Sequence, residues 1–280
     1  MSSDRSYTIQ DWLDLHQISR DQAKALCQSI RRQQPRQRKS NGKGLHIESN
    51  HLHLDMTGCI ESLIVSAFVE LLGSEAHIPE IVAEVEILNL QPSELDLPYT
   101  TRSETTGVPS VRLVWNSDPE SLMTLAHEMG HAIQMRLCNY EFMPPMVREV
   151  CAFMGELAVI EAATQQSQNL HQALQKLWNA HNRVYLGAQL GELEQALHQR
   201  DAPYDYRQNY PFARIVSGFI FAKQKAQDNL KLFSEPSITA EDHILHQALR
   251  RITTQSFDEN RTPQAERSQF RLTGKSVNAN

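Results

Sequence analysis

Residues 117–137, SDPESLMTLAHEMGHAIQMRL, decide how the chain reads. Ser117 suits a helix cap, Pro119 a first helical turn, and Glu120 stands three residues after the cap, so a helix is expected over 118–138. His127 and His131 then fall four apart, on one face and one turn from each other, where both imidazoles can reach a single ion. Glu128 is next in angle and can reach a water on that ion. Zinc lowers the pKa of bound water and polarises a carbonyl, while a neighbouring carboxylate takes the water's proton. The spacing therefore points to zinc-assisted hydrolysis, with one zinc per chain. Residues 111–115 read as a strand just ahead of the helix, placed to serve as an edge that pairs with a substrate backbone.

A catalytic zinc has three protein ligands and one open position. The next expected helix, 145–166, contains MVREVCAFMGELAVIEA at 146–162. Glu149 and Glu156 are seven apart, on one face, among Val147, Val150, Phe153, Met154 and Leu157. A carboxylate in such apolar company is costly unless it is paired or binds metal. Glu149 is the expected third ligand, with Glu141 and Glu161 as fallbacks. Glu156 then either orients a ligand histidine or makes a helix-surface salt bridge.

Outward from these helices, residues 82–90 read as a second strand and 91–109 as a loop rich in turn formers. Further helices are expected at 57–72, closed by Gly73, and at 170–199, 209–233 and 240–254. Thr8 with Asp11 and Ser19 with Gln22 suggest helix starts near the beginning, and 45–55 suggests a short hairpin. The fold class is mainly α with a small β-sheet (α+β). The expected division is a helical segment and basic loop at 1–43, a catalytic domain at 44–256 and a loose tail at 257–280. The stretch RRQQPRQRKSNGK at 31–43 has six basic residues and no acidic one, the pattern of a solvated loop. His46, His51 and His53 lack a matched carboxylate and read as sheet-face histidines rather than ligands.

A net charge of −6 argues against nucleic-acid binding. No apolar run reaches a membrane span, and the first twenty residues lack the apolar core of a signal peptide, so a cytoplasmic location is expected. Cys27, Cys59, Cys138 and Cys151 are widely spaced with no CxxC, which suits buried thiols better than disulfides or a zinc knuckle.

Three stretches resemble the oligoendopeptidase F and thimet oligopeptidase family. SVRLVWNSDPESLMTLAHEMGHAIQ (110–134) is similar to its strand, turn and zinc helix, and REVCAFMGE (148–156) to the helix that supplies the third ligand. RVYLGAQLGELEQALH (183–198) resembles the helix before its tyrosine segment. The likeness covers about residues 108–233. It implies a zincin-like metallopeptidase fold, activity on short peptides, zinc on His127, His131 and Glu149, and Glu128 as general base. It also implies that tyrosines bind the scissile carbonyl. The matching segment, residues 204–218, offers Tyr206 and Tyr210, four apart, and departs from the family's denser aromatic run. His198 either lines the site or ends a helix at the surface. The family carries several hundred residues ahead of the zinc motif, which wall the substrate channel. Here 126 precede it, so the expectation is either an open cleft or a homodimer or partner protein that completes the wall. Two other readings are a dedicated regulatory or precursor-processing protease with one protein substrate, and a catalytically inactive metal-binding interaction module.

Overall fold

Helix α1 (Ile9–Leu15) starts where Thr8 and Asp11 cap each other, and α2 (Arg20–Gln33) where the Ser19 and Gln22 side chains bond each other's backbone N–H groups. The computed structural model describes residues 7–33, 52–95, 97–236 and 244–254. Most of the hairpin expected at 45–55 lies outside these residues, and 52–55 carry no strand. The basic stretch beyond the end of α2 and the tail at 257–280 also lie outside them.

The apolar helix closed by Gly73 is built from α3 (Met56–Cys59), a π turn (Ile60–Ile64) and α4 (Val65–Leu72). Next comes α5 (Ile78–Glu84), which takes the first half of the strand expected at 82–90. Ile78, Ile81, Val82 and Val85 are buried at helical spacing, and Pro79 sits in the first turn, so an apolar run that fits either period folds as helix. Strand β1 (Glu86–Asn89) keeps only the remainder.

Two more strands follow. β2 (Tyr99–Arg102) lies in the stretch expected to be loop, because four residues of strand are masked by the turn formers around them. β3 (Pro109–Leu113) pairs parallel with β1 and antiparallel with β2, giving the order β1-β3-β2. The strand expected to be an edge is thus the middle one, and β2 holds the edge.

The remaining elements are helices: α6 (Pro119–Leu137), α7 (Pro145–Gln166), α8 (Gln168–Arg183), a π turn (Val184–Gln189) and α9 (Leu190–His198), then α10 (Tyr210–Lys223), α11 (Ala226–Ser234) and α12 (Ile244–Thr254). The cap of α6 is Asp118, not Ser117: its carboxylate accepts from Ser121 N, while Ser117 takes a left-handed backbone at φ 59°. The helix expected at 209–233 breaks at extended Gln224, a break that no glycine or proline signals. Among the described residues, no single helix is long and apolar enough to cross a membrane.

α6 and α7 cross at the centre. A Cβ on Gly130 would lie 2.7 Å from Ala152 Cα, and one on Gly155 would lie 2.8 Å from Ala126 O. Only glycine permits that approach. Helices α1 and α2 share this core: Ile9, Trp12, Leu13, Leu26 and Ile30 are buried in it. α1 also anchors two elements of the candidate site. Trp12 Nε1 donates to Asn209 Oδ1 (2.8 Å), just before α10, and His16 Nε2 accepts from Met146 N (3.1 Å), in the first turn of α7.

Candidate metal centre

The close crossing of α6 and α7 brings Glu149 against both histidines of the motif. His127 Nε2 lies 3.4 Å from Glu149 Oε2, and His131 Nε2 lies 3.5 Å from Glu149 Oε1. Ligand atoms of His127, His131 and Glu149 all fall within 4.8 Å of one another, and the group can hold a metal ion. The fallback carboxylates stay outside it: Glu141 is exposed in the turn after α6, and Glu161 lies further along α7.

The chemistry of these atoms suits a cation. His127 Nδ1 lies 2.8 Å from Glu156 Oε1; donating there, a neutral ring keeps a bare lone pair on Nε2. That lone pair faces Glu149 Oε2, a buried oxygen with no hydrogen-bond partner among the described residues. Lone pairs set against each other repel unless a proton or a metal cation lies between them. Tetrahedral zinc with nitrogen and oxygen ligands at about 2.0–2.2 Å sets its ligand atoms about 3.4 Å apart, close to the spacings found. Charge agrees as well. Glu128, Glu149, Glu156 and Arg214 are all buried, and even with the half-buried Arg148 beside them the ionised carboxylates outnumber the arginines, so the centre is acidic and favours a cation.

The two imidazoles respond oppositely to their surroundings. Burial pushes His127 down, but the Glu149 and Glu156 carboxylates beside it outweigh that and hold the ring well above the usual histidine range. His131 is equally buried without such a bond, and burial takes it down to about 3. Burial raises Glu149, yet His131, His127 and the Tyr206 phenol bring it down to about 2, so it stays a carboxylate. A proton on His127 thus competes with a cation for the same carboxylates.

Glu156 lies on His127 Nδ1, and the salt bridge it makes is buried rather than on the helix surface. Beyond His127, its Oε2 pairs with Arg214 Nη1 at 2.8 Å. Arg214 in turn donates to Asn182 Oδ1 (2.7 Å) and Trp178 O (3.1 Å), and its guanidinium carbon lies 3.1 Å from the centroid of the Trp178 ring. Arg214 was not expected in the site, although one cue existed: it is the sole charge in the apolar run 210–222.

Glu128 is buried, and its Oε2 accepts from the hydroxyl of Thr100 on β2 (2.7 Å). Burial raises its pKa, against the pull of His127 and of the Thr100 bond. Nothing in the sequence marks Thr100. Tyr206, in a short 3-10 turn (Tyr206–Asn209), donates to Glu149 Oε1 at 2.7 Å. Tyr210 opens α10, its ring 6.1 Å from Tyr206 and 5.3 Å from Tyr185 of the π turn. Burial, reinforced by Glu149, raises both phenols, so they act as donors. His198 is exposed at the end of α9, and His53 is exposed ahead of α3.

Scans of this chain against protein-family models, curated proteins and solved structures found no match.

Proposed function

We propose that the protein is a zinc-dependent peptidase acting on oligopeptides. The observation that carries this reading is the unpartnered Glu149 oxygen set against a histidine Nε2 in a pair that flanks Glu128. Imidazole and carboxylate donors suit zinc, and His127, His131 and Glu149 would hold it. The ion supplies Lewis-acid chemistry, acidifying water and polarising a carbonyl. The resemblance of 110–134 and 148–156 to the oligoendopeptidase F and thimet oligopeptidase family points the same way.

The chain's own groups complete the reaction. Thr100 ties one oxygen of Glu128. The other is the base that takes a proton from the attacking water and then delivers it to the leaving amine. Burial moves this base towards neutrality, which suits a group that must both accept and give a proton. The Tyr206 hydroxyl holds Glu149, so Tyr210 is the phenol assigned to the oxyanion. β2 bears Thr100 and, among the described residues, has β3 on one side only, so an extended substrate would pair along its other edge.

The test is cleavage of a mixed peptide library, read by mass spectrometry, for wild type and Glu128→Gln with zinc content measured on both. Cleavage by wild type alone, at equal zinc, is expected. Cleavage by both, or by neither with zinc bound, rejects the reading.

A further inference from the structure

We propose that Arg148 is a specificity residue that binds a carboxylate of the substrate; this rests on the peptidase reading above. Arg148 precedes Glu149 in the first turns of α7. Residues 148, 152 and 155 share a helix face at spacings of four and three. That face packs on α6, with Gly155 against Ala126 and Ala152 against Gly130. The two contacts run in opposite directions along the helices. One turn before Ala152, the row therefore places Arg148 beside α6 beyond Gly130, at the His131 end of the metal centre.

Its surroundings leave the guanidinium unused. The side chain is half-buried, and among the described residues it has no hydrogen bond and no ion pair. Arg214, the other arginine of the centre, is bonded to Glu156, Asn182 and Trp178. The nearby carboxylates do not engage it: Glu128 bonds Thr100, and Glu149 faces both histidines and accepts from Tyr206. Yet the charge of Arg148 is felt across the centre. Burial raises Glu128 and Tyr206 and lowers His131; Arg148 opposes the first two effects and adds to the third.

A guanidinium drawn partly out of water with none of its five donors engaged is unfavourable, and its planar fork matches the two oxygens of a carboxylate. Peptides carry that group at the C-terminus and on Asp or Glu side chains. Arg148 therefore selects peptides that place either carboxylate close to the bond being cut.

The test is binding, so that turnover does not confuse it. Glu128→Gln protein loaded with zinc is titrated by fluorescence with three dansyl tripeptides. These are glycyl-phenylalanyl-leucine as free acid, the same peptide as C-terminal amide, and glycyl-phenylalanyl-glutamic acid as C-terminal amide. One or both carboxylate-bearing peptides are expected to bind about 10-fold or more tighter than the leucine amide, as for a charged hydrogen-bonded pair. Adding Arg148→Gln abolishes that preference, and Arg148→Lys keeps part of it. Preference for the acid alone assigns the C-terminus; preference for the glutamic acid peptide assigns the side chain. Equal binding of all three, no binding of any, or a preference that survives Arg148→Gln overturns the proposal. If wild type cleaves nothing in the library but the Arg148-dependent preference is found, the carboxylate site stands and the peptidase reading falls.

Discussion

Glu156 accepts from His127 Nδ1 at 2.8 Å, and that bond decides which ring nitrogen of His127 meets Glu149. Arg214, on the other oxygen of Glu156, keeps the carboxylate charged in a site where both are buried. Glu156→Gln and Arg214→Met are each expected to weaken zinc binding about 10- to 100-fold, the usual effect of losing a group that orients a ligand. Competition with a chromogenic chelator measures it. Arg214→Met also strands Glu156 and is expected to lose about 3–5 kcal/mol of stability. Arg214→Lys, with charge but no fork, should fall between wild type and Arg214→Met. Unchanged zinc affinity in Glu156→Gln and Arg214→Met would mean that His127 is oriented without this chain of contacts.

Gly130 stands between the two histidines, where a Cβ would meet the Ala152 backbone at 2.7 Å. A helix backbone cannot yield as a side chain can, so Gly130→Ala must push α7 away from α6. Overpacking of this kind costs about 1–3 kcal/mol. Because Glu149 rides on α7, zinc affinity should fall along with the denaturation midpoint. Stability loss with wild-type zinc affinity would show that Glu149 does not depend on this crossing.

How much of this could be read beforehand follows from distance along the chain. His127, Glu128 and His131 share one helical turn, and Glu149 and Glu156 share one face of the next helix, so local spacing was enough. Arg214 reaches Glu156 across 58 residues and Thr100 reaches Glu128 across 28, and no periodicity links such pairs. The helices were legible from caps and apolar periods. Two strands of the sheet, β1 and β3, were legible in part; its order was not, because the middle strand is chosen by pairing rather than by local composition, and β2 is four residues among turn formers. The break between α10 and α11 has no helix-breaking residue to announce it.

His16 gives the fold its own acid sensitivity. Its Nδ1 lies 2.7 Å from Trp12 O, and its Nε2 accepts from Met146 N, so one neutral tautomer uses both ring nitrogens. Burial lowers its pKa to about 4, against the help of the Trp12 carbonyl. The unfolded ring takes a proton near pH 6.5 and the folded ring does not, so its contribution is complete above about pH 6.5 and lost as pH falls towards 4. The full loss is about 3 kcal/mol. Urea denaturation at pH 7.5 and 4.5 should show it, with a shallower fall in His16→Gln. Equal pH slopes in the two proteins would place the acid sensitivity elsewhere.

Thr100 links the edge strand to Glu128, the base of the proposed reaction. Its hydroxyl bonds the charged form of Glu128, and so works against the upward push of burial on that carboxyl. Thr100→Val keeps the β-branched shape the strand prefers and removes only the hydroxyl that bonds the carboxylate and backbone carbonyl of Glu128. Glu128 should then titrate at a higher pH. Since the base must be ionised to accept a proton, the acid limb of kcat/KM should move to higher pH, not lower. At the pH optimum a loss of about 10-fold is expected, the scale of one hydrogen bond to a charged group. Zinc content should not change, because Thr100 touches none of the three ligands through a hydrogen bond. A pH–rate profile of both proteins at equal zinc decides the matter: coincident acid limbs would mean that Thr100 positions β2 without tuning the base.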